Sequence, residues 1–77
     1  MREVQMPEMS VRLKELRQER KLKQSDMGKL LNCTENHYQQ IEYGHINIPS
    51  LTLKFLADYF GVSTDYLLGR SDDRRTL

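Results

Sequence analysis

Several features that assign proteins quickly are scarce or missing in this sequence. It has one cysteine, so no internal disulfide can form, and that usage suits a reducing cytoplasm. No apolar run approaches the roughly 20 residues of a membrane-spanning helix. The opening residues, MREVQMPEM, lack the apolar stretch of a secretory signal. There is no internal repeat, no low-complexity run and no Gly-rich phosphate loop. Net charge is only +1, twelve Lys and Arg against eleven Asp and Glu, so charge alone does not argue for a polyanionic partner.

Catalytic and metal constellations are equally thin. Cys33 and His37 lie four residues apart, but no third or fourth ligand stands at a recognisable spacing. Ser25, Asp26 and His37 do not form a nucleophile set. The expectation is a protein that is not an enzyme, with no metal, no cofactor and no small-molecule ligand.

What remains is a short chain with a helical rhythm. Seventy-seven residues, 38% hydrophobic and 30% charged, make one small all-α domain with a limited core. Residues 24–44, QSDMGKLLNCTENHYQQIEYG, read as two short helices around a tight turn. Met27, Leu30 and Leu31 form the apolar side of the first. Asn32 tolerates the left-handed backbone a helix end needs, and Cys33 is a small apolar plug. Thr34 is suited to cap the second helix, about Thr34 to Tyr43, which turns Tyr38 and Ile41 inward. Its other face reads Glu35, Asn36, His37, Gln39, Gln40 and Tyr43. That face is rich in amides, which can pair two-pronged with the edge of a base.

The flanks complete the plan. Residues 1–9 read as a tail, with Pro7 opposing an early helix start. Ser10 is the predicted cap of a first helix with Leu13 and Leu16 inside and a basic outer face. Leu22 points inward from the loop that follows. Gly44 closes the second helix of the turn unit, and residues 45–48 form a loop. Ser50 is the predicted cap of a fourth helix. Leu53, Leu56, Ala57 and Phe60 follow the i, i+3, i+4, i+7 rule of a core stripe. Leu51, Phe55 and Tyr59 form a second apolar stripe that calls for a cover or a partner. Ser63 caps a short fifth helix, and residues 70–77 form a charged tail. Residues 10–49 hold seven basic and five acidic side chains, giving +2; residues 50–69 hold one and two, giving −1.

Gln24, Gly28, the Asn32-Cys33-Thr34 turn and Ile41-Glu42-Tyr43-Gly44 resemble the helix-turn-helix of Cro/cI-type (Xre-like) DNA-binding regulators. A second block, residues 56–70, LADYFGVSTDYLLGR, strengthens the likeness, which extends from about Arg12 to Arg70. The resemblance implies a compact five-helix lambda-repressor-like domain over residues 10–69. It implies base contacts from Glu35, Asn36, His37, Gln39 and Gln40. Backbone contacts would come from Lys23, Gln24, Ser25, Tyr43, His45 and Asn47. It also implies a structural ion pair between Arg17 and Glu42, and dimer contacts from Ser50, Leu51, Thr64 and Tyr66.

Three positions depart from the family pattern. Lys23 replaces the usual Thr, Asn or Ser cap, leaving Ser25 or water to help. Gly28 replaces alanine. Ile48 intervenes between Asn47 and Pro49. The expected function is a cytoplasmic, homodimeric regulator of transcription, a repressor, whose partner is double-stranded DNA. Low net charge, Glu35 and the Leu51 stripe motivate an alternative, a protein-interaction module of the same fold that does not read sequence.

Overall fold

The computed structural model describes residues 7–75; the expectations for residues 1–6 and 76–77 lie outside it. Five helices make up the described residues: α1 Pro7–Glu19, α2 Gln24–Leu30, α3 Glu35–Glu42, α4 Ser50–Phe60 and α5 Thr64–Leu67. They enclose one core in which Leu13, Leu16, Met27, Tyr38, Ile41, Leu56, Ala57, Phe60, Val62, Tyr66 and Leu67 are buried. Leu22, Leu30, Leu31, Cys33, Ile46, Ile48, Leu53 and Tyr59 pack around it.

One backbone device recurs at every helix end. The positive-φ residues Lys21, Asn32, Gly44, Gly61 and Gly69 each follow one helix. After each of them the next amide reaches back to a carbonyl five residues earlier. The pairs are Leu22 to Arg17, Cys33 to Gly28, His45 to Gln40, Val62 to Ala57 and Arg70 to Asp65, at 2.8–3.1 Å. This is the Schellman closure, which satisfies carbonyls that a helix end would orphan. Lys21, at φ 58°, adopts this conformation without being Gly or Asn.

Helix starts are more varied. Thr34 caps α3, its Oγ1 accepting from the His37 amide at 3.0 Å, and Ser63 caps α5 by accepting from Tyr66. Two predicted caps do not hold. The first helix begins at Pro7, so Ser10 lies within it; proline needs no amide partner in a first turn, and Met9 and Ser10 are buried. Pro49, not Ser50, precedes α4, so Ser50 is its first residue. Ahead of α2, Asp26 accepts from the Lys23 amide at 2.8 Å, the reciprocal half of a capping box, while no side chain at Lys23 caps the helix. The inserted Ile48 is half-buried with Ile46 against the core, and α4 still starts directly after Pro49.

The segment after α5 is not a loose tail over residues 70–75. The Ser63 amide donates to the Arg74 carbonyl at 2.8 Å, and Arg74 grips Glu19 with two bonds of 2.7–2.9 Å. Arg12 donates to the carbonyls of Tyr66 and Ser71 at 2.6 Å and to Asp72 at 2.7 Å. Its guanidinium lies 4.3 Å over the Tyr66 ring. Tyr66 is thereby closed inside the chain, 7% exposed, which removes it from the surface offered to a second copy.

Candidate nucleic-acid interface

Helix α3 is anchored on one side and open on the other. Tyr38 and Ile41 are buried in the core, while Glu35, Asn36 and His37 are exposed. Gln39 and Gln40 are half-buried, Tyr43 is exposed, and His45 and Asn47 stand exposed beyond the helix. Lys23 is exposed, and Gln24 and Ser25 are half-buried at the start of α2. The amide-rich face therefore points outward, with the α2 N-terminus beside it.

The turn that sets α3 against α2 is unusually close. A Cβ added to Gly28 would stand 3.0 Å from the Cys33 carbonyl oxygen and 3.2 Å from backbone atoms of Thr34 and Glu35. In the same place the Cys33 amide donates to the Gly28 carbonyl at 2.8 Å, the bond that closes α2. Gly28 thus lets backbone pack on backbone, and Cys33 fills the space beside it as part of the core margin.

At the other end, charge does the anchoring. Arg17 donates from Nε and Nη2 to the two Glu42 carboxylate oxygens, each at 2.9 Å, and from Nη1 to the Leu22 carbonyl at 2.8 Å. The Glu42 side chain is only 1% exposed. Burial opposes its ionisation, but the Arg17 hydrogen bonds and charge prevail and hold its carboxyl below the usual range. The same pairing raises Arg17 above its ordinary value. The Tyr38 hydroxyl beside them has no hydrogen-bond partner among the described residues. Burial, then the neighbouring carboxylate, pushes its ionisation above the ordinary tyrosine range.

From Glu42 the polar chain continues to the surface. Gln24 Nε2 donates to Glu42 at 3.3 Å, and Gln39 Nε2 donates to Gln24 Oε1 at 3.0 Å. Gln39 also reaches Glu35 at 3.5 Å, one helical turn away. Gln39 and Gln24 are therefore held by protein groups, whereas the side chains of Asn36 and His37 make no hydrogen bond among the described residues. The Gln40 side-chain amide and His45 Nδ1 lie 2.8 Å apart, a pairing not anticipated from the sequence. Its signal was present: residues 40 and 45 are the two ends of the helix closure that Gly44 announces. The buried Ser10 hydroxyl was also missed; it lies 3.0 Å from where a Cβ on Gly44 would stand and has no hydrogen-bond partner among the described residues.

No curated protein and no solved structure gave a significant match to the chain. A family model described as Helix-turn-helix matches residues 13–67, well over half of the 77. The match spans the inner residues of α1, the close α2–α3 turn, and the helices that cover them. An all-helical chain with this turn, this match and this outward polar face belongs to the Cro/cI-type (Xre-like) helix-turn-helix family of DNA-binding regulators.

Proposed function

We propose that the protein is a sequence-specific regulator that inserts α3 into the major groove of double-stranded DNA and acts as a repressor in the cytoplasm. The observation that supports this most is the division of α3 into a locked apolar side and an exposed polar one. Asn36, Gln40, Glu35 and Gln39 are the proposed base contacts, with His37 at their edge. Lys23, Gln24, Ser25, Tyr43, His45 and Asn47 are the proposed contacts to the DNA backbone. First-turn Glu35 serves the helix dipole or accepts from a cytosine amino group.

The proposed active form is a homodimer, its half-sites about 34 Å apart along the DNA. Leu51 is 83% exposed and Phe55 43% exposed; with Leu30, Leu31 and Thr52 they line a shallow hollow of about 230 Å³. A protruding leucine beside an apolar hollow suits a self-complementary two-fold contact. Ser50 and Thr64 are exposed and remain candidates for its rim.

The test is selection from random duplex DNA, followed by binding of single-base variants. The wild type should enrich a motif, and Gln40→Ala should relax preference at one base pair at a cost of about 1–3 kcal/mol. Unchanged binding across every single-base variant would remove Gln40 from the base contacts. The exposed Leu51 patch supports the interaction-module alternative. Enrichment of no motif, with tight binding to another protein, would establish it.

A further inference from the structure

We propose that the buried Glu42 carboxylate, acting through Gln24, turns the Gln39 amide oxygen outward, so that Gln39 selects a base bearing an exocyclic amino group. The inference rests on the DNA-binding reading above. It makes Gln24 a positioning residue for base recognition and gives Gln39 one chemical sense.

The series of contacts starts from a group that only accepts. Glu42 sets its two carboxylate oxygens against Arg17, at 2.9 Å each, and its side chain is 1% exposed. A carboxylate paired in this way carries no proton, so a further polar neighbour must donate to it. That neighbour is Gln24, whose Nε2 lies 3.3 Å from Glu42 Oε1. A reversed Gln24 amide would set its oxygen against the carboxylate, lone pair against lone pair. Nitrogen toward Glu42 leaves Gln24 Oε1 for Gln39, whose Nε2 donates to it at 3.0 Å. A reversed Gln39 would set one amide oxygen against another.

Glu35 gives a second reason at the same nitrogen. Its Oε2, one helical turn back, lies 3.5 Å from Gln39 Nε2. Both glutamines are half-buried, so the series runs beneath the surface of the domain. A carboxylate and two primary amides have fixed donors and acceptors, with no second place for a proton. The Gln39 nitrogen is thus taken by protein groups, and its Oε1 enters no hydrogen bond among the described residues.

The bases divide on this point. In the major groove adenine N6 and cytosine N4 donate, whereas guanine O6 and thymine O4 accept. A free glutamine meets either kind by turning over. A held one pairs with an amino group and opposes a keto oxygen.

Wild type, Gln24→Met, Gln24→Lys and Gln39→Met are compared on selected duplexes varied one base pair at a time. At the pair sensitive to Gln39→Met, wild type should prefer adenine or cytosine over guanine or thymine on the contacted strand. Methionine keeps the length of glutamine without its donor or acceptor. In Gln24→Met that preference should fall about three- to tenfold, the worth of one hydrogen bond. Lysine donates to Glu42 but cannot accept from Gln39, so Gln24→Lys should turn Gln39 over and move the preference toward guanine or thymine. Loss of a phosphate contact at residue 24 would change affinity for every duplex alike and leave this ratio untouched. An unchanged ratio in either residue-24 variant, with helical content retained by circular dichroism, therefore overturns the inference. So does a wild-type preference for guanine or thymine at that pair, or a motif with no pair sensitive to Gln39→Met. A wild type that enriches no motif overturns the DNA reading, and this inference with it; the other failures overturn this inference alone.

Discussion

The two ends of α3 are built on the same kinds of turn yet are held by different forces. At the start, Gly28 lets the α2 backbone rest on the Cys33–Glu35 backbone, and no charge is involved. At the finish, a buried carboxylate reaches back to Arg17, and the turn beyond it carries exposed polar side chains. Steric fit fixes where the helix begins; the ion pair fixes the angle at which it leaves. The difference teaches that the outward polar face of α3 is set from behind by an electrostatic tie. Its front carries polar residues, of which Asn36 and His37 are exposed, their side chains unpaired among the described residues.

Substitutions that break one end and spare the other separate these roles. The largest effect should come from Glu42→Ala, which strands the Arg17 charge and should cost roughly 3–5 kcal/mol in denaturant unfolding. The lowered Glu42 pKa gives a matching pH effect. The carboxyl is stabilised in the folded state, so its contribution is whole above the ordinary value of 4.5 and fades as pH falls through the folded value. Acid titration of stability should therefore flatten in Glu42→Ala relative to wild type.

Gly28→Ala comes next. Helix propensity would gain about 0.5–1 kcal/mol, but the new methyl meets backbone that yields little. Overpacking costs of about 1–3 kcal/mol should prevail, leaving a net loss near 1 kcal/mol. A stabilised variant would show that the α2–α3 turn gives way more easily than its contacts suggest. Gly44→Ala should lose about 1 kcal/mol from its left-handed backbone, since the Ser10 hydroxyl it meets can rotate aside.

The smallest effect on stability is expected at Leu51→Ser, within about 0.5 kcal/mol for so exposed a side chain. The same change should weaken self-association in sedimentation, and an unchanged assembly would clear that face of any dimer role.

Much of this architecture was legible from local chemistry. Asn32, Gly44, Gly61 and Gly69 announce helix ends, and the spacing of Leu53, Leu56, Ala57 and Phe60 locates one inner stripe. The polar residues of α3 could be named, and the Arg17–Glu42 pair followed from the family resemblance. What could not be read depends on distance in the chain or on atoms that propensity does not describe. Met9 extends α1 because it finds a buried place, which no periodicity marks. Lys21 adopts the left-handed conformation because Leu22 must turn inward, against its own preference. Gln39 looks as free as Asn36 in sequence, yet Gln24 holds it. Tyr66 could pack inward or against a second copy by sequence, and Arg12 with residues 71–74 closes over it in the structure.

The strap made by residues 71–74 has a consequence for the order of assembly. Arg12 meets Asp72 across 60 positions and Glu19 meets Arg74 across 55, so both ties close loops that span most of the described chain. Such closure is entropically slow and rewards a chain only once its nearer contacts exist. The α2–α3 unit, joined through adjacent residues, forms early, and the strap is fastened last. Under strain the order should reverse: the strap should part from α1 first, while the α2–α3 unit still stands.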